Sequence, residues 1–157
     1  MLPSAHYSSG VIIFSIMSIL GLIPKNLLYL SLMIVLSLIP DLDFFMSRRH
    51  REVITHSVIF WAIIVSATVV ARPEYWIAAP PIFCHLFLDS FDWGVTVFFP
   101  FSRRKFGLKI LKEQESDKKY GFLESVDIYL LNRKLLYLEG VLLIMSIVLL
   151  VGAAYCS

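Results

Sequence analysis

The sequence predicts an all-α membrane protein, a polytopic bundle of about five transmembrane or re-entrant helices. Of its 157 residues, 58% are hydrophobic, and the mean hydropathy is +0.76, far above the usage of soluble domains. The apolar residues form five segments, at 7–23, 26–39, 54–71, 76–91 and 135–155. In a bilayer each has to be helical, because a helix satisfies its own backbone polar groups. We interpret residues 1–157 as one integral membrane domain with a polar segment at about 101–133.

The first two segments are short for a membrane crossing. At about 1.5 Å per residue they reach about 25 and 21 Å, against a hydrocarbon core of about 30 Å. They either thin the bilayer locally or form a shallow re-entrant hairpin. Gly21, Pro24 and Asn26 lie between them and supply a turn. In both cases the outer ends of the two segments return to the same face.

The distribution of basic residues predicts the orientation. All but two of the 14 lysine and arginine residues lie between the second and third segments or between the fourth and fifth. The exceptions, Lys25 and Arg72, occupy the opposite turns. Because cytoplasmic loops carry an excess of Lys and Arg, we expect the N-terminus and both long loops in the cytoplasm and the C-terminus outside. No basic residue precedes the first segment, so we expect it to be retained rather than cleaved as a signal peptide.

Histidine and aspartate residues collect at the predicted cytoplasmic ends of the segments. The candidate metal ligands are His6, Asp41, Asp43, His56, His85 and Asp89. Ionisable groups in or beside hydrocarbon are costly, and they tend to pair, to bind a metal or to line a wet cavity. His85 and Asp89 are four residues apart and therefore share a helix face. The alternatives are local: His6 is a capping or snorkelling residue that precedes the first helix, and the two Asp residues belong to a turn after Pro40.

The chemistry of these residues suits a divalent ion such as zinc or manganese. The set exceeds what one tetrahedral site needs, so we expect two ions, about 3.5 to 4 Å apart, that clamp a phosphoryl group and polarise a water. His50 and Arg51 are the predicted catalytic residues, His50 as a general acid. Arg51, Arg103 and Arg104 are predicted to bind the phosphate of the substrate. Binding of anionic lipid explains residues 103–105 equally well.

Three further features have open interpretations. Thr55 is expected to cap the third helix while its hydroxyl orients a ligand. Glu139 either snorkels to the membrane interface or joins the site. Residues 101–132 form either an interfacial amphipathic segment or a solvated loop.

Taken in order, these motifs resemble the YdjM-like membrane-bound metal-dependent hydrolases. The motifs are His6, Pro40-Asp41-Leu42-Asp43, His50-Arg51 with Thr55-His56-Ser57, Cys84-His85 with Leu88-Asp89-Ser90, Trp93-Gly94, and Phe99-Pro100. They extend over roughly residues 1–108, and Glu52 stands where the family pattern has glycine. The resemblance implies a multi-pass, metal-dependent hydrolase of the inner membrane. A more distant similarity links it to zinc-dependent phospholipases C.

We therefore expect a membrane-embedded hydrolase of a phosphoester, such as a lipid or lipid-linked head group. The expected partners are the membrane and a phospholipid or phosphoester substrate, and no nucleic acid. A metal or proton transporter is disfavoured, because residues 11–23, 27–39 and 58–71 carry no charged group, whereas transport needs polar groups along the crossing. A non-catalytic membrane regulator with a structural metal is the remaining alternative, and it would lack an open coordination position.

Overall fold

The computed structural model describes residues 3–42, 54–92, 94–108 and 130–155, and these residues are mostly helical. The α-helices in these ranges are α1 (Pro3–Ile19), α2 (Leu27–Leu38), α3 (Val58–Ala71), α4 (Ala79–Asp92) and α5 (Arg133–Tyr155). A 3₁₀ turn, Ile39–Leu42, follows α2, and another, Pro73–Ala78, precedes α4. Each predicted apolar segment overlaps one of these helices, which confirms the helical class.

Two helix boundaries differ from the hydropathy pattern. α1 begins at Pro3, so His6 lies inside its first turn, and the prediction that His6 precedes the helix is wrong. Proline is tolerated here because the first N–H groups of a helix have no intrahelical partner. The fourth segment begins as a 3₁₀ turn, and its α-helix starts only at Ala79. Pro80 and Pro81 then fall in the first turn of α4 for the same reason.

The turn between α1 and α2 uses two of the residues predicted to form it. Gly21 has a φ of 69°, a left-handed conformation that glycine adopts without strain. The Asn26 side chain accepts a hydrogen bond from the Tyr29 backbone N–H at 3.0 Å and so caps α2. The short connection makes the two helices antiparallel neighbours. The C-terminal end of α2 therefore returns to the N-terminal end of α1.

Helix α1 packs against both α2 and α5 and also contacts α4. Its backbone approaches α2 closely at Gly10, where a Cβ would lie 2.8 Å from Ile34 Cα. Only glycine fits such a contact. An apolar cluster lies along this helix pair and contains Phe14, Met17, Ile23 and Met33. A second cluster joins α3 to α4 and contains Trp61, Val65, Ile82, Leu86 and Val95.

A small β-ribbon after α4 corrects the all-α prediction. Its strands β1 (Val95–Thr96) and β2 (Lys105–Phe106) pair antiparallel, and Thr96 also forms a bridge to Ser57, just before α3. Strands of two residues are too short to produce an alternating hydropathy pattern, so the sequence gives no signal for them. We call residues 95–106 the hairpin. Through the bridge between Thr96 and Ser57, the hairpin connects the segment after α4 to the start of α3.

Among the described residues, one helix is long and apolar enough to cross a membrane. This is α5, which has 23 residues. Its most apolar 18-residue window has a mean hydropathy of 2.4, and 11% of that window is buried within the protein. The apolar stretches Leu27–Leu42 and Val58–Ala71 are shorter. Both expose large apolar side chains, such as Leu27 at 75% and Val70 at 84%. The predicted number of crossings and the orientation of the termini stay predictions.

Candidate metal centre

Five ionisable side chains from separate parts of the chain meet at one end of the helical bundle. His6 lies in the first turn of α1, Asp41 in the 3₁₀ turn after α2, and His56 next to Ser57, the N-cap of α3. His85 and Asp89 lie one turn apart on α4. Helices α1 and α3 begin at this end, and α2 and α4 end at it. All five side chains therefore lie at or near helix termini. We call this group the metal centre.

The first half of the metal centre contains two imidazoles and one oxygen of each carboxylate. His56 Nε2 lies 3.3 Å from both Asp41 Oδ1 and Asp89 Oδ2. His85 Nε2 lies 3.6 Å from Asp41 Oδ1 and 3.2 Å from Asp89 Oδ2. Each of the four side chains offers one ligand atom, and these atoms all lie within 4.8 Å of one another. Two nitrogen and two oxygen donors at this spacing fit a tetrahedral ion.

The remaining oxygens of the two carboxylates face His6. Its Nε2 lies 3.2 Å from Asp89 Oδ1 and 3.9 Å from Asp41 Oδ2. The His6 ring stacks on the ring of His85, with centroids 3.7 Å apart and an interplanar angle of 22°. In each carboxylate, one oxygen therefore faces His6 and the second oxygen faces His56 and His85.

Backbone and hydroxyl groups fix the orientation of the two imidazoles in the first half. His85 Nδ1 donates a hydrogen bond to the Ser37 carbonyl at 2.7 Å, which leaves the Nε2 lone pair directed at the carboxylates. The Thr55 hydroxyl lies within hydrogen-bond distance of His56 Nδ1, at 3.1 Å, and fixes the orientation of that ring. Thr55 is itself held, because its carbonyl accepts a hydrogen bond from the Trp61 indole N–H at 2.6 Å.

Ser37 also connects α2 to His6. Its hydroxyl donates to the His6 carbonyl at 2.8 Å, while its own carbonyl holds His85. Ser37 is fully buried, and it reaches both histidines because Gly10 lets α1 and α2 approach closely. A Cβ at Gly10 would lie 2.8 Å from the Ser37 hydroxyl oxygen. The close packing at Gly10 therefore sets the positions of two of the three imidazoles.

The burial of these groups is evidence that they fit a cation. His6 and His85 have no exposed surface, and His56 is 4% exposed. Within the described ranges, His6 Nδ1 is buried without a hydrogen-bond partner, and the Nε2 atoms of His6 and His85 lie 3.2 Å from Asp89 oxygens without forming a well-aligned hydrogen bond. Leaving a buried polar atom unsatisfied costs about 1–3 kcal/mol. A divalent ion would satisfy the Nε2 atoms and compensate the two carboxylates, so the residues present fit such an ion.

The structure brings together five of the predicted ligands: His6, Asp41, His56, His85 and Asp89. The sixth, Asp43, and the predicted catalytic residues His50 and Arg51 lie outside the described residues. Arg103 and Arg104 are exposed in the loop of the hairpin.

Two residues outside the ligand set have contacts that refine their predicted roles. Thr55 contacts the His56 ring, but the cap of α3 is Ser57, which accepts from the Phe60 N–H, so the predicted capping role of Thr55 is wrong. The difference arises because the helix starts one turn later than the apolar segment. Glu139 accepts a hydrogen bond from the Ser4 hydroxyl at 2.9 Å, between α5 and α1.

Sequence reasoning missed the residues that support the ligands. Ser37 is a serine among leucines in α2, and nothing in its local pattern marks it. Thr96 was also missed, although its N–H and its hydroxyl both donate to the His56 carbonyl at 3.2 Å. Both contacts join distant parts of the chain, which a single sequence does not reveal. Gly10 carried the one usable signal, a glycine inside an apolar helix, which often marks a close backbone approach.

These features define a class: a mostly helical protein with an apolar helix able to cross a membrane and a buried His/Asp group able to hold a metal ion. The chain belongs to the YdjM inner membrane protein family, whose model matches residues 1–155. This confirms the resemblance carried by the motifs. It is also consistent, together with α5, with a location in the inner membrane. No curated protein and no solved structure matches the chain.

Proposed function

We propose that this protein is a metal-dependent hydrolase of the inner membrane that acts on a phosphoester, such as a lipid or lipid-linked head group. The observation that carries the proposal is the convergence of Asp41, His56, His85 and Asp89, with ligand atoms within 4.8 Å of one another and three of the residues buried. Clusters of buried ionisable groups are costly and concentrate at functional sites. Family membership agrees with this interpretation.

The division of the carboxylate oxygens supports two ions rather than one. Asp41 Oδ1 and Asp89 Oδ2 complete a set of four protein ligands with His56 and His85. Asp41 Oδ2 and Asp89 Oδ1 form a set of three with His6. A position with three protein ligands leaves room for water or substrate, and we assign that role to the His6 side. Zinc or manganese suits these donors, and when bound such ions polarise a water and a phosphoryl oxygen.

The protein's own residues have three tasks in this proposal. Ser37 and Thr55 orient His85 and His56 so that their Nε2 atoms point inward. Burial of the centre excludes bulk water and strengthens every electrostatic contact within it. His50 as general acid and Arg51 as phosphate ligand complete the proposal, together with Asp43 as a sixth ligand. We place the metal centre at the cytoplasmic face of a multi-pass protein, with the C-terminus outside.

A non-catalytic regulator with a structural metal is the second candidate. The set formed by Asp41, His56, His85 and Asp89 favours it, because four protein ligands on one ion match a closed structural site. The two candidates differ in the number of ions and in turnover. A regulator needs one ion in the closed set, whereas the hydrolase needs an open position beside it.

Both candidates are tested on full-length protein purified without chelator. We expect elemental analysis to find zinc or manganese at about two ions per chain, and a screen of phosphoesters and phospholipids to find hydrolysis. Asp41→Asn combined with His85→Ala should abolish turnover, whereas Glu74→Gln, an exposed acid at the other end of the bundle, should leave it unchanged. One ion per chain without turnover favours the regulator. Protein without metal, whose stability and activity do not respond to added metal, contradicts both.

A further inference from the structure

The hairpin exposes aromatic and cationic side chains together, in its loop and on β2. Phe98 is 49% exposed, Phe101 86% and Phe106 39%, and Arg103 and Arg104 are exposed beside them. Contiguous exposed apolar side chains can mark an interaction surface. Aromatic rings next to basic residues are the composition found at the boundary between membrane and water.

This surface is ordered by its own contacts. The Phe98 and Phe106 rings meet edge to face, with centroids 5.7 Å apart and an angle of 80°. The Arg104 guanidinium lies over the Phe106 ring, 5.8 Å from its centroid, within the range of a cation–π contact. The Arg104 backbone N–H also donates to the Ser102 hydroxyl at 3.2 Å. The Arg104 guanidinium is therefore held against the Phe106 ring, which in turn contacts Phe98.

The hairpin lies at the same end of the bundle as the metal centre. Thr96 donates twice to the His56 carbonyl, and the Ser57 hydroxyl donates to the Phe99 carbonyl at 3.3 Å. The Ile59 N–H donates to the Val97 carbonyl at 3.3 Å. Because the ends of helices in membrane proteins lie near the head-group layer, the loop of the hairpin is within reach of that layer.

We propose that residues 98–106 of the hairpin, its loop and β2, dock on anionic phospholipid head groups of the leaflet beside the metal centre. Phe98 and Phe101 enter the boundary between head groups and acyl chains, and Arg103 and Arg104 bind lipid phosphates. Charge complementarity favours this partner, because adjacent guanidinium groups match phosphate oxygens and anionic head groups attract basic segments. The inference does not depend on metal binding or hydrolysis, and it selects the lipid interpretation of residues 103–105 that the sequence left open.

The depth of the loop in the membrane tests this proposal. Full-length protein carrying Phe101→Cys, with Cys84→Ser and Cys156→Ser, is labelled with an apolar nitroxide and placed in nanodiscs. The discs contain phosphatidylcholine alone or with increasing phosphatidylglycerol, and the label's collisions with oxygen and with a water-soluble nickel chelate are compared. We expect anionic lipid to shift the label from the nickel-accessible to the oxygen-accessible state.

The arginines and a matched pair of charges provide the controls. Arg103→Gln with Arg104→Gln should raise the anionic-lipid content needed for this shift, reflecting a loss of about 30-fold in head-group affinity at about fivefold per basic residue. Lys25→Gln with Arg72→Gln removes the same charge at the opposite end of the bundle and should leave the shift unchanged. The proposal is overturned if the label stays nickel-accessible in anionic discs. It is also overturned if the loss of both arginines leaves the depth of the label unchanged.

A second measurement needs no cysteine substitution. Native mass spectrometry of wild-type protein, released from mixed-lipid discs, should retain more phosphatidylglycerol than the Arg103→Gln, Arg104→Gln variant retains. Equal retention by the two proteins contradicts the docking surface even if the labelled variant fails to fold.

Discussion

The two ends of the helical bundle treat ionisable residues in opposite ways. At one end, His6, His85 and Asp89 are fully buried, and the Asp89 carboxylate lies 3.2 Å from Nε2 of each histidine. At the other end, Arg72 and Glu74 form an ion pair at 3.7 Å with side chains 69% and 61% exposed. An exposed pair of this kind contributes at most about 1 kcal/mol. Water does not stabilise the buried group in this way, because burial removes the hydration of its charged side chains.

The difference indicates which end carries the chemistry. Solvated charges at the Arg72 end are explained by their exposure alone. Burying a carboxylate among imidazoles, some with unsatisfied ring nitrogens, marks the group that could hold a metal ion. Substitutions at the metal centre should therefore change metal content and activity, whereas equivalent substitutions at the Arg72 end should change neither.

The largest expected effect is that of Asp89→Asn. The Asp89 carboxylate lies within 3.3 Å of His6, His56 and His85, and the substitution keeps its shape while removing its charge. We expect more than about a 100-fold loss of metal affinity, exceeding the 10–100-fold typical of residues that only orient ligands. Elemental analysis and metal titration measure it, with Glu74→Gln as the matched control at the other end. If both variants retain the same metal content as wild type, the contrast between the two ends fails.

A smaller loss is expected for Thr55→Val, which keeps the side-chain shape and removes the hydroxyl beside His56 Nδ1. Groups that orient a ligand imidazole typically contribute 10–100-fold in metal affinity. The matched control is Thr68→Val near the far end of α3, where the hydroxyl donates to the Val65 carbonyl within the helix. Metal titration of both variants makes the comparison, and equal affinities would remove Thr55 from the site.

Gly10→Ala tests the packing that places Ser37. Its added methyl would lie 2.8 Å from the backbone of α2, and overpacking of this kind costs about 1–3 kcal/mol. Gly140→Ala in α5 is the control, because nothing lies within 4 Å of its added methyl, so a gain in helix propensity of up to about 1 kcal/mol is expected there. Thermal unfolding in detergent compares the two. A Gly10→Ala protein as stable as wild type would show that α1 and α2 are not packed this closely.

The smallest effect is expected for Ser4→Ala, which removes the hydrogen bond from α1 to Glu139 of α5. This contact is exposed, so the loss of unfolding free energy should stay below about 1 kcal/mol. The exposed serine Ser66 of α3 offers the control Ser66→Ala, measured by the same thermal unfolding. A larger loss in Ser4→Ala would contradict the account of this hydrogen bond as an exposed contact of small energetic value.

Much of the fold followed from hydropathy, because the five apolar segments admit only helices in a bilayer. The exact helix boundaries did not follow from hydropathy. Pro3 starts α1 ahead of the apolar run, since helix formation needs backbone partners rather than apolar side chains. The hairpin was missed because its two-residue strands are held by pairing with each other and with Ser57, which no local pattern encodes.

The ligands were predictable and their supports were not, for one physical reason. His85 and Asp89 interrupt an apolar helix, so their cost in hydrocarbon makes them visible in the sequence. Ser37 and Thr96 carry no such cost, because each satisfies its polar groups through a partner distant in the chain. Such residues become recognisable only when the fold places the ligands beside them.

The most direct test of the metal centre is anomalous diffraction from crystals of the full-length protein, recorded at the zinc and manganese absorption edges. We expect one anomalous peak within coordination distance of Nε2 of His56 and His85 and of the carboxylates of Asp41 and Asp89. A second peak is expected on the His6 side. Well-ordered density for these side chains without an anomalous peak between them, in protein crystallised with both metals present, would contradict the account.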